Sequence, residues 1–229
     1  MMLSEALQRG WCFRNPANGI THSAPVLECV DPSGVLATAE AARVIDRADG
    51  MFRIMLLVAL RTGLRQGEQL ALTWGDVDLD TQRLHVRRSV RVGVVGEPKT
   101  RHSARVIPLD ATPVRELKRW KLACPPTQGR LVFPSARGGY VPAAGCSRQL
   151  RSLLARCGLE RPELAAFRWH DLRHTFASHA LAGGMTLVDV SRLLGHSTPT
   201  VTATVYSHAL PDRETERREQ LDILYAVRR

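Results

Sequence analysis

The sequence predicts a mainly α chain with one small antiparallel β-sheet set among the helices, an α+β fold. Three observations predict it. Helix-period patterns closed by glycines recur from residue 35 onward. Valine- and arginine-rich segments with two-residue alternation are confined to about 83–109. Apolar residues make up 44% of the 229 positions, an ordinary share for a globular core.

Residues 1–34 lie outside that pattern. "SEALQRGW" reads as the end of a helix, and "NPANGITHSAPVLECVDPSG" supplies Pro, Gly, Asn and Ser without periodicity, which is linker chemistry. "LATAEAARVIDRA" begins the helical region, with Thr38 as its expected cap. "MFRIMLLVALRTG" is apolar nearly all round, so it is expected to be a buried helix stopped near Gly63. "RQGEQLALTW" opens another helix. "RLHVRRSVRVGVV" and "SARVIPL" form the sheet, joined by the turn-rich "GEPKTRH". Helical patterns resume at "PVRELKRWKLA" and "CSRQLRSLLARCG". In "HDLRHTFASHALAGG", Leu172, Phe176 and Ala180 are spaced by four and the run stops at Gly183-Gly184. "TLVDVSRLLG" has a T-x-x-D start and Gly195 past its end. A last helix is expected at roughly 211–227.

"LGHSTPTVTATVYSH" reads two ways. Val201, Ala203 and Val205 alternate with threonines, as in a half-buried strand, whereas Thr198-Pro199 is a helix opening with a hydroxyl cap. The run carries Tyr206, one of three tyrosines, among small residues that pack little.

The net charge of +10 fits a partner with dense negative charge, most simply nucleic acid. Only three of the 32 basic residues are lysines, and arginine is the better fork for phosphate. The five cysteines are scattered without a C-x-x-C pair, so neither a disulfide framework nor a cysteine zinc site is indicated. The longest apolar run, "IMLLVAL", is too short to span a bilayer, and no signal peptide is visible. The expectation is a soluble, cytoplasmic, DNA-associated protein without a membrane partner.

Several side chains invite a chemical reading. Arg65 stands at a helix start with Glu68 one turn on, able to pair with it or hold it. Lys99 is the one lysine in the sheet region. His170 and Arg173, three apart, share one helix face, away from Leu172 and Phe176. His174 follows His170 by four, a spacing that raises a zinc site, but the glutamate of H-E-x-x-H is missing. His196 follows the Gly195 helix stop, and Tyr206 comes ten residues later.

Together, "TGLRQGEQLALTWGDVDLD", "KTRHSARVIPL", "HDLRHTFASHALAGG" and "LGHSTPTVTATVYSHALP" resemble the tyrosine recombinases, specifically phage-type integrases, over about residues 35–215. The resemblance implies the catalytic-domain fold of that family for 35–229, with 1–34 as a remnant of the core-binding domain and its linker. It implies a site-specific recombinase that cuts and rejoins double-stranded DNA through a covalent 3′-phosphotyrosyl intermediate, without metal, ATP or other cofactor. Tyr206 matches the nucleophile, and Arg65 and Arg173 match the arginines that hold the scissile phosphate. Lys99 matches the β-hairpin general acid, while His170 and His196 match the two histidines of the catalytic set. Glu68 matches a supporting acidic position. A tetramer on synapsed DNA is implied as well. The competing readings are a DNA-binding fragment without recombination activity, a type IB-like topoisomerase and, more remotely, a metal-dependent hydrolase.

The chemistry is consistent with those roles. A phenol with a pKa near 10 is a weak nucleophile at neutral pH, and nearby cations favour the phenolate. Guanidinium forks suit the charge that develops on a phosphate under attack. In this scheme arginine takes the place of a metal ion.

Overall fold

The computed structural model describes residues 29–210 except 92, 97–103 and 128, together with the isolated positions 13, 218 and 223. The expected N-terminal helix end, the connection carrying Lys99 and most of the expected last helix lie outside the described residues.

Helix α1 spans Thr38–Arg47 and α2 spans Gly50–Thr62. Thr38 is not the cap of α1. Ala37 takes that place, and its N–H donates to the Glu40 carboxylate at 2.8 Å, so the acidic side chain does the work expected of the hydroxyl. Helix α2 is buried nearly all round, with Met55, Leu56, Leu57, Val58 and Ala59 inside. Its apolar sequence suits an element packed on several sides by α1 and later helices. It ends at Gly63, whose φ of 61° is the left-handed conformation that closes many helices. A Cβ there would also sit 2.4 Å from Phe176 Cδ1, so glycine is required twice over. Helix α3, Gln66–Leu70, is only five residues long.

The sheet region is two sheets rather than the single one expected. Strands β1 (Val77–Asp78), β2 (Arg83–Val86) and β5 (Arg105–Pro108) form an antiparallel sheet in the order β1-β2-β5. Strands β3 (Ser89–Arg91) and β4 (Val94–Gly96) make a separate antiparallel hairpin. In the β2–β5 ladder Leu84 faces Ile107 and Val86 faces Arg105, with Leu84, Val86 and Ile107 buried.

Helices α4 (Ala111–Ala123), α5 (Ala143–Arg156), α6 (Trp169–Ala182), α7 (Leu187–Leu194) and α8 (Pro199–Tyr206) follow. The ambiguous threonine-rich segment is therefore helical. The β-branched residues yield because Thr202 and Tyr206, four apart, both bury on one face. Pro199 opens α8 as expected, but the Thr198 side chain makes no capping hydrogen bond. In α7 the expected cap is present: Thr186 Oγ1 accepts from Asp189 N–H at 3.1 Å, and Gly195 closes the helix at φ 67°.

Two hydrophobic clusters result. The larger gathers α1–α5, the sheet and the first turns of α6. The smaller joins Ala177 and Leu181 of α6 to Val190 and Leu194 of α7 and to Tyr206. No helix among the described residues is long and apolar enough to cross a membrane.

Candidate active site

Local sequence sets the first arginine. Arg65 is the N-cap of α3, and its backbone N–H donates to Glu68 Oε2 at 2.9 Å. Its guanidinium also bonds Glu68, Nη1 to Oε1 at 2.9 Å, and reaches the Gly195 carbonyl at 3.4 Å. Glu68 is buried and receives a second guanidinium from Arg105 on β5, with Nη2 2.8 Å from Oε2 and Nη1 3.1 Å from Oε1. Burial alone would raise the Glu68 carboxyl, but bonding and charge from Arg105, then from Arg65, hold it down at about 2. One carboxylate thus fixes two guanidiniums and neutralises one of their charges. Arg105 Nε also donates to the Leu193 carbonyl at 2.6 Å, tying the sheet to the end of α7.

Arg173 lies one turn into α6. The first turn of that helix is fixed by Trp169, whose ring centroid is 5.8 Å from that of Phe52 and whose Nε1 donates to Gln69 Oε1 at 3.2 Å. Only 2% of Arg173 is exposed. Its Nη1 donates to the Gly63 carbonyl and its Nη2 to the Leu194 carbonyl, both at 2.7 Å. These carbonyls stand at the ends of α2 and α7, where helix dipoles favour a cation. Burial, joined by Arg65, lowers the Arg173 guanidinium to about 9, with Glu68 acting against the fall, so it stays charged at neutral pH.

His196 follows directly on the Gly195 turn. Its Nδ1 lies 2.8 Å from Thr202 Oγ1, which links the loop to α8. Burial, then the positive charges of Arg173, Arg65 and Arg105, lower its pKa to about 3. His170, exposed at the start of α6, is nonetheless lowered to about 4 by partial desolvation and by His174 and Arg173. Both imidazoles are neutral at pH 7.

Tyr206 ends α8 and is 1% exposed. Its hydroxyl lies 2.8 Å from His174 Nδ1, and the two rings are 5.6 Å apart at 50°. His174 in turn meets His170 edge-on at 4.8 Å. Burial pushes the Tyr206 hydroxyl up to about 12 against the pull of Arg173 and Arg65. The two arginines favour the phenolate, but burial outweighs them. The Val205 carbonyl, which would otherwise be an orphan at the helix end, accepts from Val30 N–H at 2.8 Å.

The chain matches the phage integrase family over residues 35–213. It belongs to that family. It is 26% identical to a tyrosine recombinase XerC-like protein of Caldanaerobacter subterraneus subsp. tengcongensis, over 96% of this chain and 62% of the relative. An integrase of Streptomyces ambofaciens is 34% identical over 76% of this chain and 49% of its own length. The Tn1549 transposon integrase, in complex with circular intermediate DNA, superposes with a TM-score of 0.70 at 22% identity, covering 96% of this chain and 77% of that one. The chain thus spans roughly half to three-fifths of the curated relatives it matches, and the mainly α catalytic fold with small antiparallel sheets is that of the family's solved structures.

Within this phage integrase fold, Arg65 pairs with Glu68, and Arg65 and Arg173 bond the successive carbonyls of Gly195 and Leu194, directly before His196. His170 lies beside His174 and so near Tyr206, while Lys99 falls outside the described residues. His174 Nδ1 lies 2.8 Å from the tyrosine hydroxyl. Among the described residues no group of three or more His, Cys, Asp or Glu is arranged to hold an ion.

Sequence reasoning missed two site residues. Arg105 had a legible signal: alternation puts it on the same strand face as buried Ile107, and an arginine on a core-facing position needs a carboxylate. In the sequence His174 stands out only as a metal-ligand candidate, although i, i+4 spacing places it beside His170.

Proposed function

We propose that this chain carries the catalytic domain of a site-specific DNA recombinase of integrase type. Tyr206 attacks the scissile phosphate of double-stranded DNA and forms a 3′-phosphotyrosyl link, releasing a 5′ hydroxyl. Arg65 and Arg173 receive the charge that grows on the non-bridging oxygens. His196 and His170 add neutral imidazoles beside them, His196 as a donor from its loop. Lys99 supplies the proton to the leaving 5′ oxygen, a contribution of roughly 10²–10⁴-fold for such catalysis. Glu68 is supportive, since its carboxylate is occupied by Arg65 and Arg105. A phenolate leaves readily, so a hydroxyl from another strand reverses the step and the phosphodiester's energy is conserved without ATP. Residues 35–229 form the catalytic domain in this reading, and 1–34 the end of a core-binding domain with its linker. Four such chains act together on synapsed DNA in the cytoplasm.

The observation that carries the proposal is that Arg65 and Arg173 are anchored on the successive carbonyls of Gly195 and Leu194, while the Tyr206 hydroxyl meets His174, the residue that follows Arg173 on α6. Two guanidiniums share the Glu68 carboxylate and the Arg173 guanidinium bonds backbone carbonyls, leaving the positive excess that a phosphate diester needs. The test is incubation with supercoiled plasmid and nicked suicide duplexes in EDTA. A protein–DNA adduct that survives a denaturing gel, and that Tyr206→Phe abolishes while remaining folded, is the expected result. Binding without an adduct on any of these DNAs would make the chain a DNA-binding fragment, and activity lost only on chelation would make it a metal-dependent hydrolase.

A further inference from the structure

A nucleophilic phenol must lose its proton, and the roles above leave that proton without a destination. The carboxylates nearby are committed. Glu68 is held by Arg65 and Arg105, and Asp171 accepts from the Arg168 N–H at the start of α6. His196 spends its Nδ1 on Thr202. Among the described residues, the side chain hydrogen-bonded to the Tyr206 hydroxyl is His174, through Nδ1 at 2.8 Å.

The geometry points to His174 as the general base of strand cleavage and the general acid of rejoining, an assignment that rests on the reading of Tyr206 as nucleophile. In cleavage, the Tyr206 oxygen forms a bond to phosphorus as the bond from phosphorus to the 5′ oxygen breaks. The phenolic proton passes to His174 Nδ1, and the leaving 5′ oxygen takes its proton from Lys99. In rejoining, a 5′ hydroxyl attacks phosphorus and gives its proton to the neutral Lys99 amine, the bond from phosphorus to the tyrosine oxygen breaks, and the imidazolium returns its proton to that oxygen. Protons and charge balance in each direction with no other reactant.

Three further features support the role. His174 is lowered from the usual imidazole value, chiefly by burial, so it enters the reaction neutral and able to accept. The Nε2–H tautomer leaves the Nδ1 lone pair facing the phenol. The charged and titratable groups around it come from two elements: His170, Asp171, Arg173 and the capping Arg168 from α6, and Tyr206 and His208 from the C-terminal segment. Of these, Asp171 favours the imidazolium and Arg173, Arg168 and His208 disfavour it. A base so surrounded returns its proton easily, as a reversible strand exchange requires.

The test uses single-turnover cleavage of nicked suicide duplexes carrying sequences that this chain retains from a random-sequence pool. His174→Asn keeps a hydrogen-bonding atom near the Nδ1 position but takes no proton, whereas His174→Ala removes both. Each is expected to cleave on the order of 10²-fold more slowly at pH 7.5. The deficit should narrow as pH rises toward 10 and hydroxide takes over, and added imidazole should partly restore His174→Ala. A 5′-bridging phosphorothiolate, whose sulfur leaves without a proton, should rescue Lys99→Ala but neither His174 variant. Variants that match the wild type at every pH, or that the sulfur substrate rescues, would overturn the assignment. A wild-type chain that forms no Tyr206-dependent adduct would overturn the functional reading itself, and the assignment with it.

Discussion

Arg173 and Tyr206 are almost equally buried, at 2% and 1% exposure, yet they are held in opposite ways. Arg173 is locked by two short bonds to carbonyls at the ends of two helices, and each of those helices is closed by a left-handed glycine. Tyr206 ends an eight-residue helix and keeps its place through one hydroxyl contact, a small apolar cluster and the neighbouring Val30–Val205 backbone bond. The difference teaches how the site divides its labour. On the proposed roles, a charge that is to meet a phosphate is preorganised, because moving a buried guanidinium would strand several polar groups. The proposed nucleophile, which trades a hydrogen bond for a bond to phosphorus, is secured by few interactions.

That contrast can be broken most sharply at Arg173. Arg173→Ala strands the Gly63 and Leu194 carbonyls, at about 1–3 kcal/mol for each. It should therefore lose adduct formation and also lower the urea midpoint clearly. Tyr206→Phe, by comparison, should abolish the adduct while costing only about 0.5–1.5 kcal/mol for one hydrogen bond. Equal stability losses in the two variants would erase the distinction.

Glu68 offers the next largest effect. Its folded pKa of about 2 lies below the ordinary 4.5, so its contribution is fully present above about pH 4.5 and is lost as pH falls toward 2. The shift corresponds to roughly 3 kcal/mol. Glu68→Gln should remove this and flatten the acid limb of a stability-against-pH curve measured by chemical denaturation. An unchanged acid limb would mean that the two arginines are not held as described.

A smaller effect is expected at the turn that feeds Arg173. Gly63→Ala forces a side chain into a left-handed conformation, at about 1–2 kcal/mol from the backbone alone, and drives Cβ into Phe176. The melting temperature should fall, and cleavage should slow more than the stability loss alone accounts for, since the Gly63 carbonyl orients the guanidinium. The smallest signal is dynamic. Amide exchange across 199–206 should be faster than across 51–62, because α8 is short and threonine-rich whereas α2 is buried on nearly every side. Equal protection would argue against a releasable tyrosine.

Much of this was legible before any coordinates. The stops at Gly63 and Gly195 and the T-x-x-D start of α7 are local effects, settled within a turn of helix. The caps at Thr38 and Thr198 were misread because a neighbouring carboxylate, in one case, and simple exposure, in the other, removed the need for a hydroxyl. The single expected sheet became two because β3 pairs with β4 alone, while β5 returns to β2.

The sequence by itself determined the family, the order of the elements and the stops of the helices that flank the candidate site. All of these follow from short-range patterns in which the chain signals to residues three or four positions away. Only the tertiary structure decided that Arg105 shares Glu68 with Arg65, that His174 receives the tyrosine hydroxyl, and that burial outweighs two arginines at Tyr206. Those outcomes depend on hydrogen bonds and desolvation between residues 32 or 37 positions apart. Periodicity says which face a side chain takes, but not which distant face meets it.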